Sequence, residues 1–261
     1  MASAKLSPSQ DRAAPPVKAM NNLYLQAQRL WRVTPGPLKA LVRRLPALNS
    51  TKKCIANLSG QVDPHNRIYN DTYYVVIEKH AQMAQRAVAQ SILTDFQPGS
   101  VLDVGCGTGA FLAELQARGV QVMGLEHSEA ALVICRRKGL RVVDCDLEND
   151  AFALREVFDV AVSTEVAEHL PASCADRYVD LLCQAAPWIV FTAATPGQAG
   201  QDHVNEQPND YWIARFAARG CRFDEERALQ WRTDWRRQSV PDFYFKNLMI
   251  FQRVPYVGGA R

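Results

Sequence analysis

SVLDVGCGTGAFLAEL, residues 100–115, decides the fold. The apolar run Val101–Val104, carrying Asp103, has the length of a buried strand and spills into Gly105, Gly107 and Gly109. An amphipathic helix follows. Glycines between a strand and a helix let the backbone turn sharply and let a ligand approach its N–H groups. Three ligands compete for such a turn: a nicotinamide dinucleotide, a nucleoside triphosphate and S-adenosylmethionine. No Gly-Lys-[Ser/Thr] ends the loop, which removes the triphosphate. Gly105-x-Gly107-x-x-Ala110, with Glu126 about 20 residues on, satisfies the permissive dinucleotide fingerprint. Glycine spacing alone therefore leaves two cofactors standing.

Outward from this stretch the pattern alternates. Strands are predicted at Ser100–Val104, Gln121–Leu125, Leu140–Val143, Phe158–Ser163 and Trp188–Ala193, and helices near Ala110–Arg118, Glu129–Lys138, Ala172–Ala186 and Asp210–Arg219. Ser128 suits an N-cap, Pro171 a first helical turn, and Gly220 a helix stop. A further helix is predicted from about Tyr74 to Leu93, with Ile77, Met83, Val88 and Ile92 on related faces, and "QPGS" breaks the chain after it. The segment "FYFKNLMIFQRV" reads as a late strand in an antiparallel edge hairpin. Together these predict an α/β fold: a doubly wound, mostly parallel seven-stranded sheet with a C-terminal antiparallel edge strand and a helical N-terminal extension.

At 261 residues the chain suits one domain with a sizeable core plus an extension. Charge is uneven: the first 62 residues are net +9 against +3 for the whole chain, leaving net −6 from Asp63 onward. We divide the chain into a basic N-terminal arm (1–65), a main domain (66–255) and a short tail (256–261). The arm holds two short basic amphipathic helices broken at Pro35-Gly36-Pro37. A lid on the main domain, an anionic surface and an organellar transit segment all fit it. Seven scattered cysteines without C-x-x-C spacing argue against a disulfide framework or structural zinc and for a reducing, cytoplasmic setting. No apolar run approaches the length of a membrane span. The acidic body is unlike a typical RNA-binding domain.

Four ordered segments break the tie between cofactors. "LDVGCGTGAFLAEL" resembles motif I of class I S-adenosylmethionine-dependent methyltransferases, "VMGLEHSEAAL" their second-strand segment, "VVDCDLEN" their third and "FDVAVSTEVAEHLP" their fourth. The match spans residues 100–171 and thins from "IVFTAATP" to "NLMIFQRV"; the first 65 residues lie outside it. The resemblance implies S-adenosylmethionine as cofactor. Gly105, Cys106, Gly107 and Gly109 would pass its methionine and ribose, and Asp103 would order the loop and its contacts with the amino end. Glu126 would accept from the ribose hydroxyls, since a carboxylate offers only acceptors. Asp146 would accept from the adenine amine, with Leu147 against the ring and Thr164 completing the set. Asp144, two residues away on the same strand face, is the rival for the adenine role.

"STEVAEHLP" bears on the acceptor. Glu165, Glu168 and His169 stand at i, i+3 and i+4, on one side of a helical turn, and His203 follows in "TPGQAGQDHVNEQPNDYW". This resembles ubiquinone-biosynthesis-type O-methyltransferases and also small-RNA 3′-terminal 2′-O-methyltransferases, the latter binding a divalent metal through E-x-x-E-H and a later His. The resemblance implies Glu165, His169 and His203 as catalytic residues. It implies Glu165, Glu168, His169 and His203 as a set for Mg²⁺, Mn²⁺ or Zn²⁺. Without a metal, either histidine suits a general base. Tyr69, Tyr73 and Tyr74 resemble the Y-D-x-x-Y-Y entry segment of relatives that modify sugars, with Asn70 in place of the Asp. Asn205 and Tyr211, with Glu206 and Gln207, would face a hydroxyl-rich substrate. The expectation is O-methylation of a small-molecule or glycan acceptor. An RNA terminal methyltransferase, a nicotinamide-dependent oxidoreductase and a non-catalytic cofactor-binding adaptor are the alternatives.

Overall fold

The computed structural model describes residues 84–149, 154–198, 200 and 202–254. Helix α1 covers the described residues 84–95. Then come β1 (Ser100–Val104), α2 (Ala110–Gln116), β2 (Gln121–Glu126), α3 (Glu129–Arg137), β3 (Val142–Asp144) and β4 (Val160–Thr164). Two 3₁₀ turns, Ala167–His169 and Ala172–Cys174, lead into α4 (Ala175–Ala185) and β5 (Trp188–Thr192). The chain closes with α5 (Asn209–Ala217), β6 (Cys221–Phe223), α6 (Glu225–Arg237), α7 (Asp242–Asn247) and β7 (Met249–Arg253). The strands form one seven-stranded sheet in the order β3-β2-β1-β4-β5-β7-β6.

Period-two alternation sorts the strands onto two cores. Leu102, Val104, Ile189 and Phe191 face α4 and α5, where Tyr178, Leu182, Trp212 and Phe216 close over them. Val101, Val160 and Val190 point the other way, onto Ile92 of α1, Leu112 and Leu115 of α2 and Trp231 and Trp235 of α6. The first five strands are parallel, and the chain turns back on itself between β1 and β4, which are paired from Val101↔Val160 to Asp103↔Val162. That reversal opens a crevice at the carboxyl ends of β1 and β4, the usual ligand position in such sheets.

The C-terminal part differs from expectation in detail. The residues "DFYFKN" form α7 rather than strand, because Pro241 sits at its N-cap and Asp242 pairs with Lys246 one turn on. The strand starts only at Met249; it is antiparallel to β5, and β6 takes the outer place beside it. Helix α6 was not anticipated, since only Ala228, Trp231 and Trp235 of its highly charged sequence are buried. Its ends are nonetheless well formed. Asp224 accepts from the Arg227 N–H at 3.1 Å, and Arg236 and Arg237 lie in the last turn. The two indoles donate back to α1, Trp231 to Asp95 at 2.8 Å and Trp235 to Ser91 at 2.9 Å. Asp224→Ala should therefore cost about 1 kcal/mol in urea unfolding.

The arm (1–65), Tyr69, Tyr73, Tyr74, the first turns of the helix expected from Tyr74, and the tail (256–261) lie outside the described residues. No helix among the described residues is long and apolar enough to cross a membrane.

Candidate active site

The loop leaving β1 is held from within. Leu125 O accepts from the N–H groups of Gly105 at 2.8 Å and Cys106 at 3.0 Å, and Gly109 N–H bonds to Cys106 O at 3.0 Å. All three glycines have positive φ, from 52° at Gly107 to 79° at Gly105. Two of them also answer to the protein's own packing. A Cβ on Gly105 would lie 2.5 Å from Val166, and one on Gly109 would lie 2.4 Å from Leu140. Cys106 turns its thiol inward against Gly124, while Cys135 donates to the Gly107 carbonyl at 3.2 Å.

Glu126, at the tip of β2, ties this loop to the next turn. Its Oε2 accepts from Gly107 N–H at 2.8 Å and its Oε1 from His127 and Ser128 N–H at 2.9 and 2.7 Å. Asp103 is buried beside it. Burial, and after it the Glu126 charge, pushes the Asp103 carboxyl up to about 8. An acid raised this way contributes stability that is full below the ordinary carboxylate range and is lost as pH rises toward 8. Asp103→Asn escapes that loss. Its melting temperature should exceed that of the wild type by a margin growing from pH 5 to roughly 5 °C at pH 8, followed by circular dichroism.

Beyond β3, Asp146 caps its own turn, accepting from the N–H groups of Glu148 at 2.9 Å and Asn149 at 3.2 Å and from the Asn149 amide at 2.6 Å. Burial opposes ionisation, and these bonds outweigh it, holding the carboxyl below its usual range. Leu147 packs half-buried against the core of Leu102 and Val104. The rival Asp144 is largely exposed, with Oδ1 3.1 Å from His127 Nδ1. Thr164 ends β4 opposite Thr192 of β5.

The E-x-x-E-H segment departs from the expected single helical turn. Only Ala167–His169 form a 3₁₀ turn; Glu165 precedes it in the left-handed region at φ 55°, its N–H bonded to Thr192 O at 3.1 Å and Thr192 Oγ1 at 3.0 Å. Glu168 is 0% exposed, and no side chain among the described residues donates a hydrogen bond to its carboxylate; only the backbone amides of Glu168 and Ala194 favour its ionised form. Burial, then the Glu165 charge, pushes its carboxyl well above the usual range. The His169 and His203 rings meet edge to face at 5.0 Å. Ligand atoms of Glu168, His169 and His203 all lie within 4.8 Å of one another, and Glu165 stands outside this trio. Gln198 Nε2 donates to Glu165 Oε2 at 2.8 Å. Burial raises Glu165 against the bonds from Thr192, Gln198 and Asn247 and the charge of His203. The adjoining Val166 is the side chain that faces Gly105, so the trio and the glycine loop border the same crevice.

The segment after β5 is packed rather than a solvated loop. Glu168 O accepts from Val204 and Asn205 N–H at 2.9 and 3.0 Å. Asn205 is 3% exposed; its Oδ1 accepts from Gln207 at 2.9 Å and its Nδ2 has no partner among the described residues. Glu206 accepts from Gly197 N–H at 2.8 Å and stands 3.2 Å from His203 Nδ1, fixing that ring. Tyr211 is half-buried on α5, with the Arg215 guanidinium 3.5 Å above its ring.

A family model described as a methyltransferase domain matches residues 76–235. The chain belongs to this class I methyltransferase family. Curated relatives of the methyltransferase domain are named ubiquinone biosynthesis O-methyltransferase. That of Hahella chejuensis is 41% identical over 81 residues (28% of this chain, 34% of the relative). That of Stutzerimonas stutzeri is 35% identical over 124 residues (45% and 50%). The chain thus spans at most about half the length of these two relatives. Among solved structures, the DhpI–SAH complex superposes with a TM-score of 0.53 at 16% identity, covering 73% of this chain and 94% of that one. Streptomyces venezuelae DesVI superposes with a TM-score of 0.53 at 17% identity, covering 74% and 100%. At such identities these two likenesses concern the fold.

Within the methyltransferase domain, sequence reasoning missed Thr192, Gln198 and Asn247 around Glu165, and Glu206 as the partner of His203. The H-x-x-E spacing of His203 and Glu206 was a usable local signal. The others come together only through the sheet.

Proposed function

We propose that this chain transfers the methyl group of S-adenosylmethionine to a hydroxyl oxygen of a small molecule or glycan. Glu168 carries the reading: a fully buried carboxyl, with no side-chain hydrogen-bond donor among the described residues, beside two imidazoles. Burial and the Glu165 charge hold this acid well above its usual range, and acids so perturbed cluster at functional sites. The O-methyltransferase names of the curated relatives support oxygen as the acceptor atom.

S-adenosylmethionine supplies a methyl already activated on a sulfonium sulfur, so the protein's work is proximity, exclusion of water and removal of the acceptor's proton. The Gly105–Gly109 turn admits the donor's methionine and ribose. Glu126 keeps acceptor capacity for the ribose hydroxyls beyond its three backbone donors. Asp103 is neutral below about pH 8 and ionises when the donor's ammonium arrives, releasing a proton. Asp146 and Leu147 take the adenine, and Thr164 lines the base of the crevice. On the acceptor side, His203 is oriented through Nδ1 by Glu206, which leaves Nε2 to receive the hydroxyl proton. Asn205 Nδ2 offers a donor without a partner among the described residues, and Tyr211 an aromatic wall.

The same residues fit a divalent cation. A Glu168 oxygen, with His169 and His203, makes a carboxylate–imidazole donor set suited to Mn²⁺ or Zn²⁺ and acceptable to Mg²⁺. A cation held there would lower the pKa of a neighbouring hydroxyl. We read residues 66–255 as the catalytic domain, following the basic arm in sequence. We place the chain in the cytoplasm, which suits the six buried, free cysteines among the described residues.

Labelled S-adenosylmethionine, offered with catechols, sugars and RNA 3′ ends, tests this with and without EDTA and with Mn²⁺ added back. A methyl ether on a catechol or sugar is the expected product, with activity lost in EDTA and restored by Mn²⁺. Transfer confined to nitrogen, or to RNA, overturns the acceptor assignment. Full activity in EDTA removes the cation.

A further inference from the structure

Three side chains from distant parts of the sequence meet behind the Glu168 trio. Asn247, at the end of α7, is 1% exposed. Its Nδ2 donates to Gln198 Oε1 at 2.6 Å and lies 3.5 Å from Glu165 Oε1. Gln198 in turn donates from Nε2 to Glu165 Oε2 at 2.8 Å. The chain of bonds has a direction. Because Asn247 donates to Oε1, Gln198 must face Glu165 with its NH₂, so a carboxylate at position 165 is matched by a donor and nothing else. A buried amide costs stability unless it is bonded, so an amide kept at the foot of a helix needs such a chain.

Glu165 itself is held in an uncommon posture. Its left-handed φ of 55° is a conformation that non-glycine residues adopt sparingly and that persists where neighbours over-determine it. Two bonds from its N–H to Thr192 supply that constraint from one side and the amide chain supplies it from the other. The carboxyl is also within electrostatic reach of Glu168 and His203.

We propose that Gln198 and Asn247 are positioning residues: their amide chain aims the Glu165 carboxyl at the Glu168–His203 face and thereby sets the orientation of the acceptor. The proposal rests on reading that face as the acceptor side. It ties the C-terminal segment before β7 to substrate alignment, a link with no local signature in the sequence.

The variants Asn247→Leu and Gln198→Leu test it, with a catechol, 3,4-dihydroxybenzoate, as the probe acceptor. Expected are a 10–100-fold fall in kcat for the probe, S-adenosylhomocysteine affinity within twofold of the wild type, and melting temperatures within a few degrees. A merely structural role predicts the opposite split, with stability and cofactor affinity falling together and kcat of the folded fraction unchanged; that result overturns the proposal. The Gln198 side-chain amide is read separately by ¹⁵N NMR. Slow solvent exchange in the wild type should become fast in Asn247→Leu. If the wild type methylates no hydroxyl probe, the reading under Proposed function falls. The amide chain then stands or falls on that NMR signal, and unchanged exchange in Asn247→Leu overturns it in either case.

Discussion

Glu168→Gln should reduce methyl transfer by about 100-fold or more while raising the melting temperature by roughly 3 °C. The two effects have one cause. The carboxyl is fully buried and has no side-chain donor among the described residues, with burial and the Glu165 charge both working against its ionisation. Such a group destabilises the fold it sits in, because two backbone amides do not make up for its burial and the neighbouring Glu165 charge. The amide has the same shape and no charge, and it can donate toward Glu165. Function loses the acceptor oxygens and stability loses a penalty. Activity assays with thermal melts at one pH check both. A fall in melting temperature alongside the activity would make Glu168 a structural residue.

Gly105→Ala should destabilise the domain by about 3 kcal/mol and abolish cofactor binding. The added methyl meets a backbone at φ 79° and would stand 2.5 Å from Cγ2 of Val166. Val166 is β-branched and directly precedes the Ala167–His169 turn, so it relieves the clash only by moving the turn that carries Glu168. Adding Val166→Ala to Gly105→Ala should restore roughly half of the lost stability, since the steric part disappears and the left-handed strain stays. Urea titration measures both variants, and no recovery in the double variant would show that the clash is not with Val166.

Much of this molecule was legible in advance, for identifiable reasons. The strand–glycine–helix unit and the β–α alternation after it rest on binary patterning, and Val101, Leu102 and Val104 sort onto opposite cores as period two requires. Patterning failed at α6, whose inward side is carried by only three residues, and at "DFYFKN", where local helix signals outweighed aromatic β-propensity. At the site, the residue types were readable and their postures were not. Glu126 was expected to face a ribose; it also fastens Gly107, Gly105 and Gly109 are needed by internal packing, and Asn205 is buried. The i, i+3, i+4 spacing suggested one helical turn, yet Glu165 joins from the strand side because Thr192 pins its N–H. Gln198 and Asn247 are brought to Glu165 by the placing of β7 next to β5, which no local window reveals.

Titration calorimetry with S-adenosylhomocysteine, run at pH 7 in two buffers of different ionisation enthalpy, tests the cofactor site most directly. Binding at about 10 µM is expected, with release of a proton as Asp103 gives up the neutral form for the ligand's ammonium. Asp103→Asn should bind far more weakly and release none, and NAD(H) should give no heat. Tight NAD(H) binding with none by S-adenosylhomocysteine would contradict the placement of a methyl donor on the Gly105–Gly109 loop.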